Sequence, residues 1–216
     1  MKTRLAIGAV AAMALSMSCA QATTLSGYAD VDNVLNAYIS TSDSVLGTLF
    51  ATGSDWNFNT NFSGVALTPG VTNYLHVVVT DQGGPRMFVG VFHLSDAGFA
   101  FANGTQDLLT DIVNWTAGAS GGTWYAPTLQ PTDEGSANYN LSIWGARAPD
   151  PARYIWYGLS GDLNNPNAPA EVYFSTPIYS LAAPTPLPAA LPLFISGIGG
   201  LGLLGWRQKR KARTSV

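Results

Sequence analysis

Short runs in which apolar and polar residues alternate recur along residues 34–181, and most of them end at Gly, Asn, Asp or Pro. Alternation with a period of two is typical of strands with one buried face, and those closing residues are typical of turns. We therefore predict strands at residues 34–39, 45–50, 72–80, 87–94, 99–101, 139–144, 154–157, 171–174 and 178–181. Helical spacing occurs only at residues 105–115, where it predicts one short helix. The whole pattern favours an all-β domain, an antiparallel β-sandwich of jelly-roll-like type, over βαβ units.

The C-terminal part of the chain departs from this pattern. Residues 187–206 contain no charged side chain and are rich in Gly. Five basic residues follow directly: Arg207, Lys209, Arg210, Lys211 and Arg213. An uncharged run of about 20 residues can cross a bilayer, and the positive flank stays in the cytoplasm. We predict a transmembrane helix at residues 189–206 and a basic cytoplasmic tail at residues 207–216.

The N-terminal part carries a second targeting pattern. Lys2 and Arg4 precede a small apolar run, and Ala20 and Ala22 fit an A-x-A cleavage site. This combination is typical of a secretory signal peptide, so we predict one at residues 1–22 with cleavage after Ala22.

Between these segments we predict an exported domain at residues 23–180 and an Ala/Pro linker at residues 181–188. The domain holds all thirteen acidic residues and only three basic ones, so its formal net charge is −10. Such a surface repels phosphate backbones, which excludes nucleic acid as a partner and leaves divalent cations or neutral glycans as more natural ones. The single Cys, Cys19, lies in the predicted signal peptide, so the exported domain must fold through its core without disulfides.

A proline-containing motif joins the linker to the apolar run. It consists of Thr185, Pro186, Leu187, Pro188 and Ala189. Motif, apolar helix and Arg-rich end together resemble PEP-CTERM-type sorting signals, in the VPLPA-CTERM variant, with Thr185 in place of the first Val. The resemblance implies that the chain is a substrate of an exosortase, a membrane transpeptidase-like cysteine enzyme of Gram-negative bacteria. Pro186 and Pro188 fix φ and lack an N–H, so they keep the motif extended, and we expect cleavage near Pro188-Ala189.

A second resemblance covers residues 29–94. The run Asp32-Asn33-Val34-Leu35-Asn36-Ala37-Tyr38, with Gly53-Ser54-Asp55-Trp56 about twenty residues later, resembles the opening hairpin of galactose-binding-like jelly rolls. The usual Asn-Gly turn after the first strand is replaced by residues 40–43. The resemblance implies the fold and, by analogy alone, contact with sugars.

Three oxygen-bearing side chains, Asp30, Asp32 and Asn33, stand close together in the sequence. Calcium favours such clusters, although Asp and Asn are also common at solvated strand edges and turns. The sequence therefore offers a candidate calcium site here, without a complete Asp-x-Asp-x-Asp-Gly loop. No other cofactor is predicted.

Enzyme chemistry has few candidate residues. His76 and His93 are the only histidines, predicted on separate strands, and Glu134 and Glu171 are the only glutamates. No Gly-x-Ser-x-Gly elbow points to a Ser-His-Asp triad, although such a triad stays open. Aromatic residues are frequent in the second half, where they fit core packing better than an exposed sugar-stacking face: Trp124, Tyr125, Tyr139, Trp144, Tyr154, Trp156 and Tyr157.

These observations lead to one functional prediction and two alternatives. The prediction is a non-catalytic exported protein, anchored in the inner membrane with its domain in the periplasm and processed by an exosortase-like enzyme. It then serves in the envelope or extracellular matrix, where exopolysaccharide or another glycan is its contact. The alternatives are a secreted polysaccharide-active hydrolase and a calcium-dependent structural surface protein.

Overall fold

A computed structural model describes residues 22–137, 147–159, 162 and 164–181. Within these residues the chain forms strands and turns and contains no helix. The strands, in chain order, are β1 (Thr24–Asp32), β2 (Val34–Ser40), β3 (Thr48–Gly53), β4 (Thr60–Ala66), β5 (Asn73–Thr80), β6 (Met87–Leu94), β7 (Phe99–Phe101), β8 (Asp107–Leu109), β9 (Thr116–Ala119), β10 (Thr132–Ser136), β11 (Arg153–Trp156) and β12 (Glu171–Ser180).

The strands form two antiparallel sheets. The first sheet has the order β10-β11-β6-β1-β4, and β8 also pairs with β6. The second has the order β3-β2-β5-β12-β7, and β9 also pairs with β12. The chain crosses between the sheets several times, so neighbours within a sheet are mostly distant in sequence. The predicted all-β, antiparallel class is confirmed.

The core lies between the two sheets because each central strand alternates its side chains. On β5 the buried apolar residues Leu75, Val77 and Val79 belong to the main core cluster. Phe88 of the first sheet meets Phe174 of the second with ring centroids 4.8 Å apart. Aromatic contacts of this kind close the space between the sheets and make the domain sandwich-like.

The prediction of a helix at residues 105–115 is wrong. Leu108 pairs with Phe92 through β8, and the chain then turns at Asp111. The Asp111 carboxylate accepts hydrogen bonds from the backbone N–H groups of Val113 and Asn114, at 2.7 and 2.6 Å. Such local bonds compete with the hydrogen bonds of a helix. The apolar side chains of Leu108 and Trp115 are instead buried in the core.

Several strand predictions also need correction. The two predicted strands at residues 171–174 and 178–181 are one strand, β12, which continues through Pro177. The strand predicted at residues 45–50 begins three residues later, as β3. Strands β1, β4, β9 and β10 were not predicted, since they are short, rich in Gly and polar residues, or buried on both faces. The strand predicted at residues 139–144 lies outside the described residues.

Both ends of the described domain leave from the same end of the sandwich. The carbonyl of Thr23 accepts a hydrogen bond from the N–H of Leu67 at 3.1 Å, and the N–H of Leu181 donates to the carbonyl of Gly98 at 2.9 Å. Asp96 links the two ends, because its Oδ1 accepts from both Thr23 Oγ1 and Gly98 N at 2.7 Å. The loop between β3 and β4 lies at the opposite end.

Candidate functional site

A cleft opens between β3 and β4, two edge strands that belong to different sheets. Near the β3–β4 loop these strands press together, since a Cβ atom added at Gly53 would lie 2.0 Å from Oγ1 of Thr60. Towards the other end, the gap between Phe50 and Val65 forms a cleft of about 460 Å³. That volume lies in the range of sites that hold small ligands.

The cleft lining is uncharged and mixed in polarity. It consists of Ile39, Phe50, Val65 and Ala66, of Ser40, Thr41, Thr48, Thr68 and Asn73, and of Gly47. The Phe50 ring is held edge-on against Phe62, with centroids 5.2 Å apart. An apolar wall of fixed shape therefore faces side chains that carry hydroxyl groups.

Two polar residues of the lining shape the loops that frame the cleft. Ser40 Oγ donates to the carbonyl of Ser42 at 2.9 Å and accepts from its N–H at 3.2 Å. Asn73 Oδ1 accepts from the N–H of Thr68 at 2.9 Å, and its Nδ2 donates to the Thr68 carbonyl at 3.0 Å. These bonds use the polar atoms of both side chains within the protein.

Three threonine hydroxyls of the lining are available to a ligand. The side chains of Thr41, Thr48 and Thr68 are exposed at the cleft, and their hydroxyls make no hydrogen bond within the part of the chain that the structure describes. Each hydroxyl offers one donor and two acceptor positions. Together they can pair with a bound ligand without breaking any internal contact.

The β2–β3 loop (residues 41–47) forms one wall of the cleft and is fixed by His76 of β5. His76 is fully buried. Its Nδ1 faces the Leu46 carbonyl at 3.1 Å and its Nε2 faces Asp43 Oδ1 at 3.0 Å. Ser175 Oγ of β12 donates to the same Asp43 oxygen at 2.7 Å. These contacts join the loop to two neighbouring strands of the second sheet.

Aromatic rings cover this junction. Trp124 lies 4.2 Å from the His76 ring, and its Nε1 donates to the Asp43 carbonyl at 2.9 Å. Tyr173 packs against Trp124 at 4.9 Å and against Tyr125 at 5.6 Å. The second sheet's outer face is therefore covered here by the segment that follows β9.

The two ring nitrogens of His76 face acceptors, yet a neutral imidazole carries only one N–H. Burial lowers the pKa of His76, while the Leu46 carbonyl and Asp43 oppose this shift. The neutral form therefore prevails at neutral pH, and protonation at lower pH brings a charge into a buried place.

Ser175, His76 and Asp43 are close together but do not form a catalytic triad. In a triad the imidazole stands between the hydroxyl and the carboxylate, so that it removes the hydroxyl proton. Here the carboxylate stands between them, because Ser175 Oγ and His76 Nε2 both contact Asp43 Oδ1. The arrangement holds a loop in place, and the His76 imidazole is not placed to remove the Ser175 proton.

The predicted calcium ligands Asp30 and Asp32 lie on the outer face of the first sheet. Both side chains are buried. Asp30 Oδ1 accepts from the N–H of Val31 at 2.8 Å, and its Oδ2 lies 3.4 Å from Nε of Arg147. Burial raises the pKa of Asp30 to about 7, against the effects of Arg147 and Val31, with smaller contributions from Asp32 and Asp55.

Asn33 is directed elsewhere. Its Oδ1 accepts a hydrogen bond from the N–H of Gln82 at 2.6 Å, and its own N–H donates to the Thr80 carbonyl at 3.0 Å. Across the described residues, no group of three or more His, Cys, Asp and Glu side chains is placed to hold a metal ion. Calcium binding at Asp30, Asp32 and Asn33 stays a prediction.

The other candidate residues lie apart. His93 is on the outer face of the first sheet, where its Nδ1 contacts Asp107 Oδ1 at 2.7 Å, so the two histidines do not meet. Burial raises the pKa of Glu134 on β10, against a hydrogen bond from Thr132. Glu171 accepts hydrogen bonds from Thr80 Oγ1 at 3.2 Å and from the Ser120 hydroxyl.

The aromatic residues of the second half divide between core and surface. Tyr154 and Trp156 are buried, whereas Tyr125 is 44% exposed. Large exposed rings also occur outside the predicted set, at Trp56 and Phe58 in the β3–β4 loop. Tyr139 and Trp144 lie outside the described residues.

The sorting motif at Thr185–Ala189, the basic residues from Arg207 to Arg213, and the signal-cleavage residue Ala20 also lie outside the described residues. Ala22 is the first described residue. No helix long and apolar enough to span a bilayer is found in the described part of the chain. The targeting segments therefore stay predictions.

No sequence motif marks the cleft. Its lining residues come from six short runs between Ile39 and Asn73 and have no motif spacing. One signal was available, since Asp55 is the only Asp, Glu, Lys or Arg between Ser44 and Thr80. So long an uncharged stretch in an acidic domain indicates a surface without ionic partners.

No protein-family model, curated protein or solved structure matches this chain.

Proposed function

We propose that this chain is an exported protein which an exosortase-like enzyme processes at its C-terminal motif, and whose jelly-roll-like sandwich then serves without catalysis in the envelope or extracellular polymer. The observation that carries the proposal is the order of three parts in residues 185–213: the proline-containing motif, the apolar run and the basic end. The predicted signal peptide at residues 1–22 supplies the matching export step.

Two features of the fold support this proposal. Thr23 and Leu181 leave from one end of the sandwich, the same end at which the cleft between β3 and β4 opens, so removal of the membrane-bound tail frees this end from the membrane. The Ser-His-Asp group is arranged to hold a loop, because the carboxylate and not the imidazole contacts the Ser175 hydroxyl. A binding role without catalysis fits both features.

The test compares the mass of the mature protein in a host with an exosortase and in its deletion strain. Pro186→Ala/Pro188→Ala should reduce processing while membrane insertion persists, because a helix can then extend backwards over the motif. Pro184→Ala, outside the motif, is the matched control. If both strains yield the same full-length membrane-bound species, the tail is only an anchor and the sorting proposal is wrong.

As a second proposal, the protein has a structural role at the surface that depends on bound calcium. This proposal is based on Asp30 and Asp32, which lie side by side on one face of β1. A thermal melt of the protein with calcium and with chelator tests it. An unchanged melting temperature excludes a calcium site of structural importance, whereas a rise that Asp32→Asn abolishes places the site there.

A further inference from the structure

We propose that the cleft between β3 and β4 binds one uncharged pyranose unit of a polysaccharide. The inference rests on the proposed function, in which the sandwich contacts extracellular polymer, and it names the place and the kind of sugar. The cleft volume of about 460 Å³ is sufficient for one sugar ring and its neighbouring linkages.

The lining has the two kinds of surface that a pyranose needs. One face of a sugar ring presents C–H groups, and these match an apolar wall such as that formed by Ile39, Phe50 and Val65. The ring edge presents hydroxyls, and these match the unengaged hydroxyls of Thr41 and Thr48 on one side of the cleft and of Thr68 on the other. A purely apolar ligand would leave the threonines without partners.

The absence of charge in the lining selects the neutral form of the sugar. None of the ten lining residues is ionisable. A uronic acid would bring a carboxylate to a site without a cation, in a domain whose net charge is −10. A neutral hexose brings no such cost.

The cleft is formed before any ligand arrives. Ser40 and Asn73 fix the two framing loops by hydrogen bonds within the protein. Gly47 lets the β2–β3 loop turn back closely, since a Cβ there would lie 2.2 Å from the Ile39 carbonyl. The His76–Asp43 contact holds the middle of the same loop. Ordering costs on binding are therefore small.

The cleft lies at an open edge of the sandwich, between strands that have no further partner within the described residues. A polymer can therefore pass along the edge while one unit enters the gap. An enclosed cavity would accept only a free monosaccharide. The occupant that fits is a unit within a chain.

The experiment uses the full chain in phosphatidylcholine vesicles and measures binding by equilibrium dialysis. The probes are labelled maltohexaose, cellohexaose and hexagalacturonate. We expect at least one neutral hexasaccharide to bind with a Kd of roughly 1 mM or tighter, typical of a single small site. Hexagalacturonate should bind more weakly than the neutral sugars.

Thr48→Trp places a large ring across the cleft and should weaken binding at least about tenfold. Thr52→Trp makes the same change on the same strand, outside the lining, and should stay within about twofold of the natural protein. Circular dichroism checks that both variants fold. Thr48→Val and Thr68→Val keep the side-chain shape and should each weaken binding about three- to tenfold, since each loses one hydrogen bond.

Three outcomes overturn the proposal. The first is that neither neutral sugar binds at about 10 mM, where a millimolar site would be filled. The second is that Thr48→Trp and Thr52→Trp weaken sugar binding equally, and the third is that hexagalacturonate binds as tightly as the neutral sugars. Processing at the C-terminal motif is measured in the same variants. Normal processing without sugar binding overturns the cleft assignment alone, whereas sugar binding without processing overturns the sorting proposal alone.

Discussion

Asp30 and His76 are buried ionisable groups on the outer faces of the two sheets, and folding shifts their pKa values in opposite directions. Asp30 lies next to one cation, Arg147, and burial still raises its pKa to about 7. His76 lies next to a carboxylate and a carbonyl, and burial still lowers its pKa. In both places the loss of solvent outweighs the attraction of the partner. Contact with an opposite charge does not by itself show that the ionised form is favoured.

The two groups have opposite effects on stability in the same pH range. Asp30 keeps its proton longer in the folded than in the unfolded chain, so its contribution falls as pH rises from about 4 towards 7. His76 takes up its proton later in the folded chain, so stability falls as pH drops below about 6.5. The two contributions therefore partly offset each other in the natural protein.

The largest effect is expected from Asp30→Asn. The amide is never ionised, so the variant should lose the decline between pH 4 and pH 7, which amounts to at most about 4 kcal/mol for the shift from 3.8 to about 7. Urea unfolding between pH 4 and pH 8 measures this. The variant should gain stability relative to the natural protein as pH rises. A parallel decline in both proteins would show that Asp30 ionises freely in the fold.

His76→Gln should lower the free energy of unfolding by about 2 kcal/mol at neutral pH, because the ring contact with Trp124 and one polar contact of the imidazole are lost. The same urea series should show that the loss of stability below pH 6.5 is smaller than in the natural protein. Asp30→Asn serves as the opposite control, since it should steepen the acid-side loss. Two variants with the same slope would contradict the comparison.

A smaller effect, about 1 kcal/mol, is expected from Ser175→Ala, which removes one hydrogen bond to Asp43 in a buried place. Ser63→Ala is the matched control, because Ser63 is exposed on β4. Thermal unfolding measures both. If Ser175→Ala unfolds like the control, the Asp43 carboxylate is held by His76 alone.

The smallest effect is expected from Trp124→Phe, which keeps most of the ring contact but removes the hydrogen bond to the Asp43 carbonyl. The free energy of unfolding should fall by roughly 0.5–1 kcal/mol. Trp56→Phe makes the same change at an exposed position and should be neutral. Hydrogen exchange of the β2–β3 loop gives a second measurement. Faster exchange only in Trp124→Phe would show that this ring holds the loop closed.

The candidate site was only partly predictable. The position of His76 on a strand follows from the β-prone run Tyr74-Leu75-His76-Val77-Val78-Val79. Its partner Asp43 lies thirty-three residues earlier, in a loop, and nothing in the spacing joins them. For Asp30 the acidic character was visible, but its burial and its contact with Arg147, 117 residues later, were not.

The sequence by itself determined the β class, the positions of most long strands, the acidic and disulfide-free character of the domain, and the targeting predictions at both ends. These properties depend on local period, composition and the order of short segments. Only the tertiary structure decided that residues 105–115 form a strand and a turn, that Ser175 and His76 share one carboxylate oxygen, and that β3 and β4 part to form a cleft. The physical reason is that each depends on pairing between segments distant in sequence, where burial and strand register outweigh local preference.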